Sequence, residues 1–120
     1  MGESKTAGPK TESKVPKEGE FDQGRVWFSR RGNVLTLGVT SRAIDGLGEL
    51  DAITLPEEGD RFDAGDDIFA VEGTRGSVEV ALPTKGVVLA VNPVAADPLA
   101  VSEDPIEEGW IVKYQIEDLE

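Results

Sequence analysis

The side chains of this chain that could do chemistry are two acidic runs, one glycine pair and one arginine-bearing turn. Asp60, Asp63, Asp66 and Asp67 invite a calcium site, but an EF-hand loop needs acids at alternate positions, then a glycine and a distant glutamate. That spacing is absent, and the acids read as solvated turn residues. Glu103, Asp104, Glu107 and Glu108 offer carboxylates in pairs. Paired-carboxylate hydrolysis needs two such groups with separated pKa values across a cleft, and nothing in this run indicates one. Gly46-Leu47-Gly48 begins a dinucleotide fingerprint that stops there, because Asp51 stands where the third glycine belongs. Arg75, within Glu72-Gly73-Thr74-Arg75-Gly76-Ser77, places a permanent cation in a glycine-flanked turn.

Composition narrows the chemistry further. The chain has 120 residues, no histidine and no cysteine. Thiol and imidazole nucleophiles, thiolate and imidazole metal ligands, and the usual general base near neutral pH are therefore missing. No catalytic residue and no metal site are expected, and the composition favours a carrier, binding or scaffold module over an enzyme. Twelve basic residues against twenty-four acidic ones give a formal net charge of −12. Such a surface repels phosphate backbones and anionic headgroups, so neither nucleic acid nor a membrane is expected as partner. It favours basic patches on protein partners instead. No run approaches the roughly 18 apolar residues of a membrane span.

Residues 1–20 hold four lysines, four glutamates and one branched apolar residue, Val15, among Gly, Ser, Thr and Pro. They cannot bury enough apolar surface to fold and read as a flexible tail. They match neither a secretory signal nor an Arg-rich transit peptide, which points to the cytoplasm. The remaining eight basic and twenty acidic residues lie in 21–120, the folded domain.

The elements that must position Arg75 are short β-branched runs punctuated by Gly, Pro and Asp. The pattern predicts strands at Val26–Arg30, Val34–Val39, Ala52–Leu55, Asp67–Glu72, Ser77–Leu82, Val87–Asn92 and Trp110–Ile116. Val78, Val80 and Leu82 alternate with Ser77, Glu79 and Ala81, and Val87, Leu89 and Val91 likewise share a face. Arg31-Gly32-Asn33, Gly73–Gly76 and Pro83–Gly86 read as turns. Thr40 or Ser41 caps a short helix through Leu47, and Asn92-Pro93 opens another that Pro98 limits to little more than one turn. Trp27, Phe28, Phe62, Phe69 and Trp110 are the bulky candidates for the core. These elements imply a mainly β flattened barrel or sandwich with two short helices.

The residues also resemble a family. Leu37-Gly-Val-Thr40, Leu47-Gly-Glu49, Leu55-Pro-Glu-Glu-Gly59, Val71-Glu72, Pro83 with Gly86, Val91-Asn92, Glu103-Asp-Pro105 and Glu108-Gly-Trp110 occur in the order and spacing of the glycine cleavage system H protein family. Trp27 resembles the tryptophan of that family's opening strand, with Arg25-Val26 in place of the usual His-Glu. The resemblance covers residues 21 to about 116. It implies a lipoyl/biotinyl-type barrel-sandwich hybrid of two small antiparallel sheets with pseudo-twofold symmetry.

The family carries lipoate in amide linkage on a lysine at a protruding hairpin tip, and the resemblance aligns that lysine with Arg75. A guanidinium with a pKa above about 12 offers no neutral amine, so Arg75 is not expected to accept lipoate. In the folded part only Lys85 and Lys113 remain as amines. Lys85 lies at the far end of a six-residue strand, roughly 20 Å away at 3.3 Å per residue. Lys113 reads as a solvent-facing strand residue. The reading is therefore a homologue without cofactor, serving as a protein-interaction or regulatory module. Its partners would include glycine cleavage or lipoate-attachment enzymes, which Arg75 and Glu72 would face. A working lipoyl carrier modified elsewhere and a purely structural sandwich module are the alternatives.

Overall fold

The computed structural model describes residues 18–117. Strand β1 is Glu18–Phe21, β2 Val26–Arg31 and β3 Val34–Val39. Helix α1 is Ser41–Leu47, followed by β4 Leu50–Thr54 and β5 Arg61–Phe62. Strands β6 Asp67–Gly73, β7 Gly76–Ala81 and β8 Gly86–Val91 come next. A 3-10 turn at Pro93–Ala96, helix α2 at Pro98–Glu103 and β9 at Val112–Ile116 complete the order. One sheet runs β1-β2-β3-β9-β8-β5 and the other β4-β6-β7. All their ladders are antiparallel. The two sheets form the expected mainly β sandwich, and no ladder among the described residues closes them into a continuous barrel.

Local chemistry sets the connections. Gly32, with φ +58, and Asn33 turn β2 into β3. Thr40 caps α1 by accepting from the Ala43 amide at 3.1 Å, while its own hydroxyl donates to the Gly24 carbonyl at 2.7 Å. The helix buries Ala43, Ile44 and Leu47 and stops at Gly48, whose φ of +80 suits a residue without Cβ. Asn92 is buried yet satisfied: Oδ1 accepts from the Val94 amide, and Nδ2 donates to the Glu108 and Trp110 carbonyls at 2.8 Å each.

Several expectations need correction. Glu18, Gly19 and Glu20, expected in the tail, belong to strand β1, which pairs with β2 through Gly19↔Phe28 and Phe21↔Val26. The flexible-tail expectation for residues 1–17 lies outside the described residues. The helix opened by Asn92-Pro93 is as short as expected, the 3-10 turn Pro93–Ala96, and Pro98 lies two residues past its end. Pro98 opens α2, with Asp97 accepting from the Leu99 amide as cap. On β8 the buried face belongs to Val88, leaving Leu89 42% exposed, the reverse of the face chosen from Val87, Leu89 and Val91. A register shift between Lys113 and Tyr114 accompanies that pairing.

The core also uses fewer of the bulky residues than expected. Phe69 is buried, and Phe28 and Phe62 pack against the core only in part. Trp27 stays half-buried because its indole N–H donates to the Pro105 carbonyl at 3.0 Å. Tyr114 is the largest fully buried side chain, packed among residues that include Val88 and Val112. Burial of an aromatic of this kind contributes about 1.5–3 kcal/mol relative to exposure.

Candidate functional site

The residues Glu72, Gly73, Thr74, Arg75 and Gly76 fall together at one end of the smaller sheet. Glu72 pairs with Ser77 and Gly73 with Gly76, which leaves Thr74-Arg75 as a two-residue loop. The loop does not protrude freely. The Thr74 amide donates to the Glu49 carbonyl and the Arg75 amide to the Leu47 carbonyl, both at 2.9 Å. The Glu49 amide returns a bond to Thr74 Oγ1 at 3.3 Å. A Cβ at Gly73 would collide with the Leu47 carbonyl oxygen, and one at Gly48 with Thr74 Oγ1. Glycine at both positions lets the two backbones approach. The hairpin tip is thus clasped by the segment joining α1 to β4.

Arg75 is exposed, but its side chain is engaged. Its Nη2 donates to the Asp45 carbonyl at 2.6 Å, satisfying one of the carbonyls that a helix end leaves unpaired. Together with its backbone bond to Leu47, Arg75 therefore acts as a clamp on the last turn of α1. Glu72 and Thr74 are exposed beside it.

A shallow cleft of about 350 Å³ opens between α1 and this tip, lined by Arg25, Arg42 and Arg75 together with Gln23 and Ser77. Arg25 is held by Asp22, its Nη2 donating to both carboxylate oxygens at 2.9 Å. The rim at Asp22, Gln23 and Gly24 has φ of +58, +62 and +81, three successive left-handed residues. Two of them are not glycine, an unusual concentration of backbone strain. Arg42 was not singled out in the sequence, and Arg25 only as a departure from a motif. Positions 25, 42 and 75 follow no spacing that could have marked them.

Lys85 is exposed in the turn between β7 and β8, at the other end of β7 from Arg75. Lys113 lies within β9 on its less buried face, as expected, and its side chain is engaged there: Nζ donates to Thr36 Oγ1 at 3.0 Å and lies 4.9 Å from the Trp110 ring centroid. The acidic runs serve turns. Asp60 Oδ2 accepts from the Glu57 amide, Asp66 Oδ2 from the Asp63 amide, and Asp104 Oδ1 from the Ile106 and Glu107 amides. Among the described residues no group of three or more candidate ligands could hold a metal, and no helix is long and apolar enough to cross a membrane.

Comparison with known proteins adds an independent line. Residues 18–120 match a family described as glycine cleavage H-protein. The chain is 36% identical over 104 residues to the glycine cleavage system H protein of Gloeobacter violaceus, covering 86% of this chain and 81% of that one. It is 37% identical over 105 residues to the Bifidobacterium longum glycine cleavage system H protein, covering 87% and 77%. In three dimensions it resembles the crystal structure of a Mycobacterium marinum glycine cleavage system H protein, with a TM-score of 0.72 and 27% identity over 88% of this chain and 89% of that one.

Proposed function

The chain belongs to the glycine cleavage H-protein family, and we propose that it is a member without a lipoyl group, acting in the cytoplasm as a non-catalytic interaction or regulatory module. One observation carries this reading: the residue at the tip of the β6–β7 hairpin is Arg75, and its guanidinium is bonded to α1. Amide formation needs a neutral amine as nucleophile, and a guanidinium stays protonated in proteins. The residues present at this tip therefore do not fit an amide-linked lipoyl group. The remaining amines of the folded region are placed poorly for the same task. Lys113 is bonded to Thr36 within the large sheet, and Lys85 sits at the opposite end of β7.

What remains of the family's surface is the clasped tip itself, with Glu72, Thr74 and Arg75 exposed for contact with a protein such as a glycine cleavage or lipoate-attachment enzyme. Acidic charge on the rest of the domain favours a basic partner surface and an association that weakens as salt is added. The test is intact-mass spectrometry of the protein isolated from its own host, with peptide mapping across Glu72–Lys85. An unmodified mass is the expected result. A lipoyl adduct on any lysine would overturn the reading and restore a carrier function.

A further inference from the structure

We propose that the cleft between α1 and the β6–β7 tip binds a small multivalent oxyanion, a phosphate ester or a polycarboxylate. The inference concerns Arg25, Arg42 and Arg75 and does not depend on whether any lysine carries lipoate.

The charge distribution is the first reason. In a chain of net charge −12, basic residues placed only for solubility would be scattered among the acids. Instead, three of the eight that follow residue 20 line one cleft of about 350 Å³. All three are arginine, whose planar fork matches carboxylate and phosphate oxygens and whose charge does not titrate away.

The second reason is that two of the guanidinium groups are held in place. Arg25 is fixed by Asp22 through Nη2 and by the Asp22 carbonyl through Nε. Arg75 is fixed through Nη2 to the Asp45 carbonyl, which leaves its Nε and Nη1 outside that bond. Arg42 Nη1 lies 2.9 Å from where a Cβ on Gly24 would be, so the bare backbone at Gly24 makes room for it. Arginines restrained before the ligand arrives lose less side-chain freedom on binding.

Anionic groups nearby set the valence of the ligand. Asp22 offsets Arg25, and Glu20 Oε1 also lies beside Gly24, 3.5 Å from the same Cβ position. The surplus of positive charge is small, so a monovalent ion gains little there, whereas two or more oxyanion groups can engage Arg42 and Arg75 together. Leu47 and Val78 form the apolar part of the lining, and Gln23 and Ser77 add neutral hydrogen-bonding groups. A long polyanion would meet the acidic remainder of the surface, which restricts the ligand to one that fits within the cleft.

The experiment is an NMR titration of the full chain with inorganic pyrophosphate and, separately, with citrate, following the arginine Nε–Hε resonances in low-chloride buffer. Saturable shifts at Arg25, Arg42 and Arg75 are expected from at least one probe. Pyrophosphate alone would assign a phosphate ligand and citrate alone a polycarboxylate. Arg42→Gln, at a residue that makes no backbone clamp, should weaken binding by about tenfold or more, the loss expected for one charge-assisted contact. Arg30→Gln, whose Nε donates to the Gly32 carbonyl in another turn, should leave binding unchanged. Absence of saturable shifts at the three arginines, equal affinity in Arg42→Gln, or saturation by a glutamate-rich peptide but by neither small anion would each overturn the proposal.

Discussion

Strand β7 begins and ends in turns that are built alike but treat their basic residue differently. At its start, the Thr74-Arg75 loop is clasped by the Leu47 and Glu49 carbonyls, and Arg75 is bonded to Asp45. At its end, the 83–86 turn is clasped by the last strand: the Glu117 amide donates to the Lys85 carbonyl at 3.0 Å, and Tyr114 Oη donates to the Thr84 carbonyl at 3.4 Å. Each clasp depends on a glycine. A Cβ on Gly73 would strike the Leu47 carbonyl oxygen, and one on Gly86 the Gln115 carbonyl oxygen and the Tyr114 ring. The ammonium of Lys85, unlike the guanidinium of Arg75, makes no side-chain hydrogen bond among the described residues, and neither forms an ion pair there. The molecule thus holds a reactive type of side chain at one turn and an unreactive, tethered one at the other.

The sharpest way to break this comparison is to give the first turn an amine. Arg75→Lys, incubated with lipoate and a lipoate-attaching enzyme, should gain a lipoyl adduct by mass spectrometry, while the parent stays unmodified. An unmodified Arg75→Lys protein would move the cause from the side chain to the clasped backbone. Next in size come the two glycines. Gly73→Ala and Gly86→Ala should each lose about 1–3 kcal/mol in urea unfolding, the usual cost of forcing atoms into a packed space. A loss at only one of them would show that the two clasps are not equivalent.

The sequence made parts of this arrangement legible and hid others for definite reasons. Val78, Val80 and Leu82 announce the buried face of β7 because alternation is a local signal. The caps at Thr40 and Asn92 were visible because cap chemistry acts within three residues. Tyr114 does not stand out by bulk, and its burial shows only in the alternation of Val112, Tyr114 and Ile116. Strand β1 had no such signal, since Glu18-Gly19-Glu20 is polar and is held by pairing with β2. The Arg75 turn could be placed from its flanking glycines, but its tether could not, because Asp45 lies thirty residues earlier in the chain. The convergence of Arg25 and Arg42 on the same cleft is hidden for the same reason: tertiary packing alone makes them neighbours.

Smaller effects refine the comparison. Arg75→Ala removes one bond to the end of α1 and should lower stability by about 0.5–1 kcal/mol, a modest loss for an exposed hydrogen bond. Lys85→Ala breaks no polar contact of the side chain and should fall within about 0.5 kcal/mol of the parent. Equal losses would mean that the tether contributes nothing to the first turn.

The two turns should also part at high pH. Burial first, and then the carboxylates of Glu117, Asp66 and Asp63, push the phenol of Tyr114 above its usual pKa of 10.0. The folded state therefore favours the neutral phenol. Its contribution to stability is complete below pH 10 and declines above it, because the unfolded chain releases that proton first. The first turn holds no phenol, so it has no counterpart. Urea unfolding of the parent should show a fall in stability as pH rises past 10, and Tyr114→Phe should remove that part of the fall while costing one hydrogen bond to Thr84 at every lower pH. If the decline persists unchanged in Tyr114→Phe, the alkaline weakness comes from charge elsewhere in this acidic domain, and the second turn is no more pH-sensitive than the first.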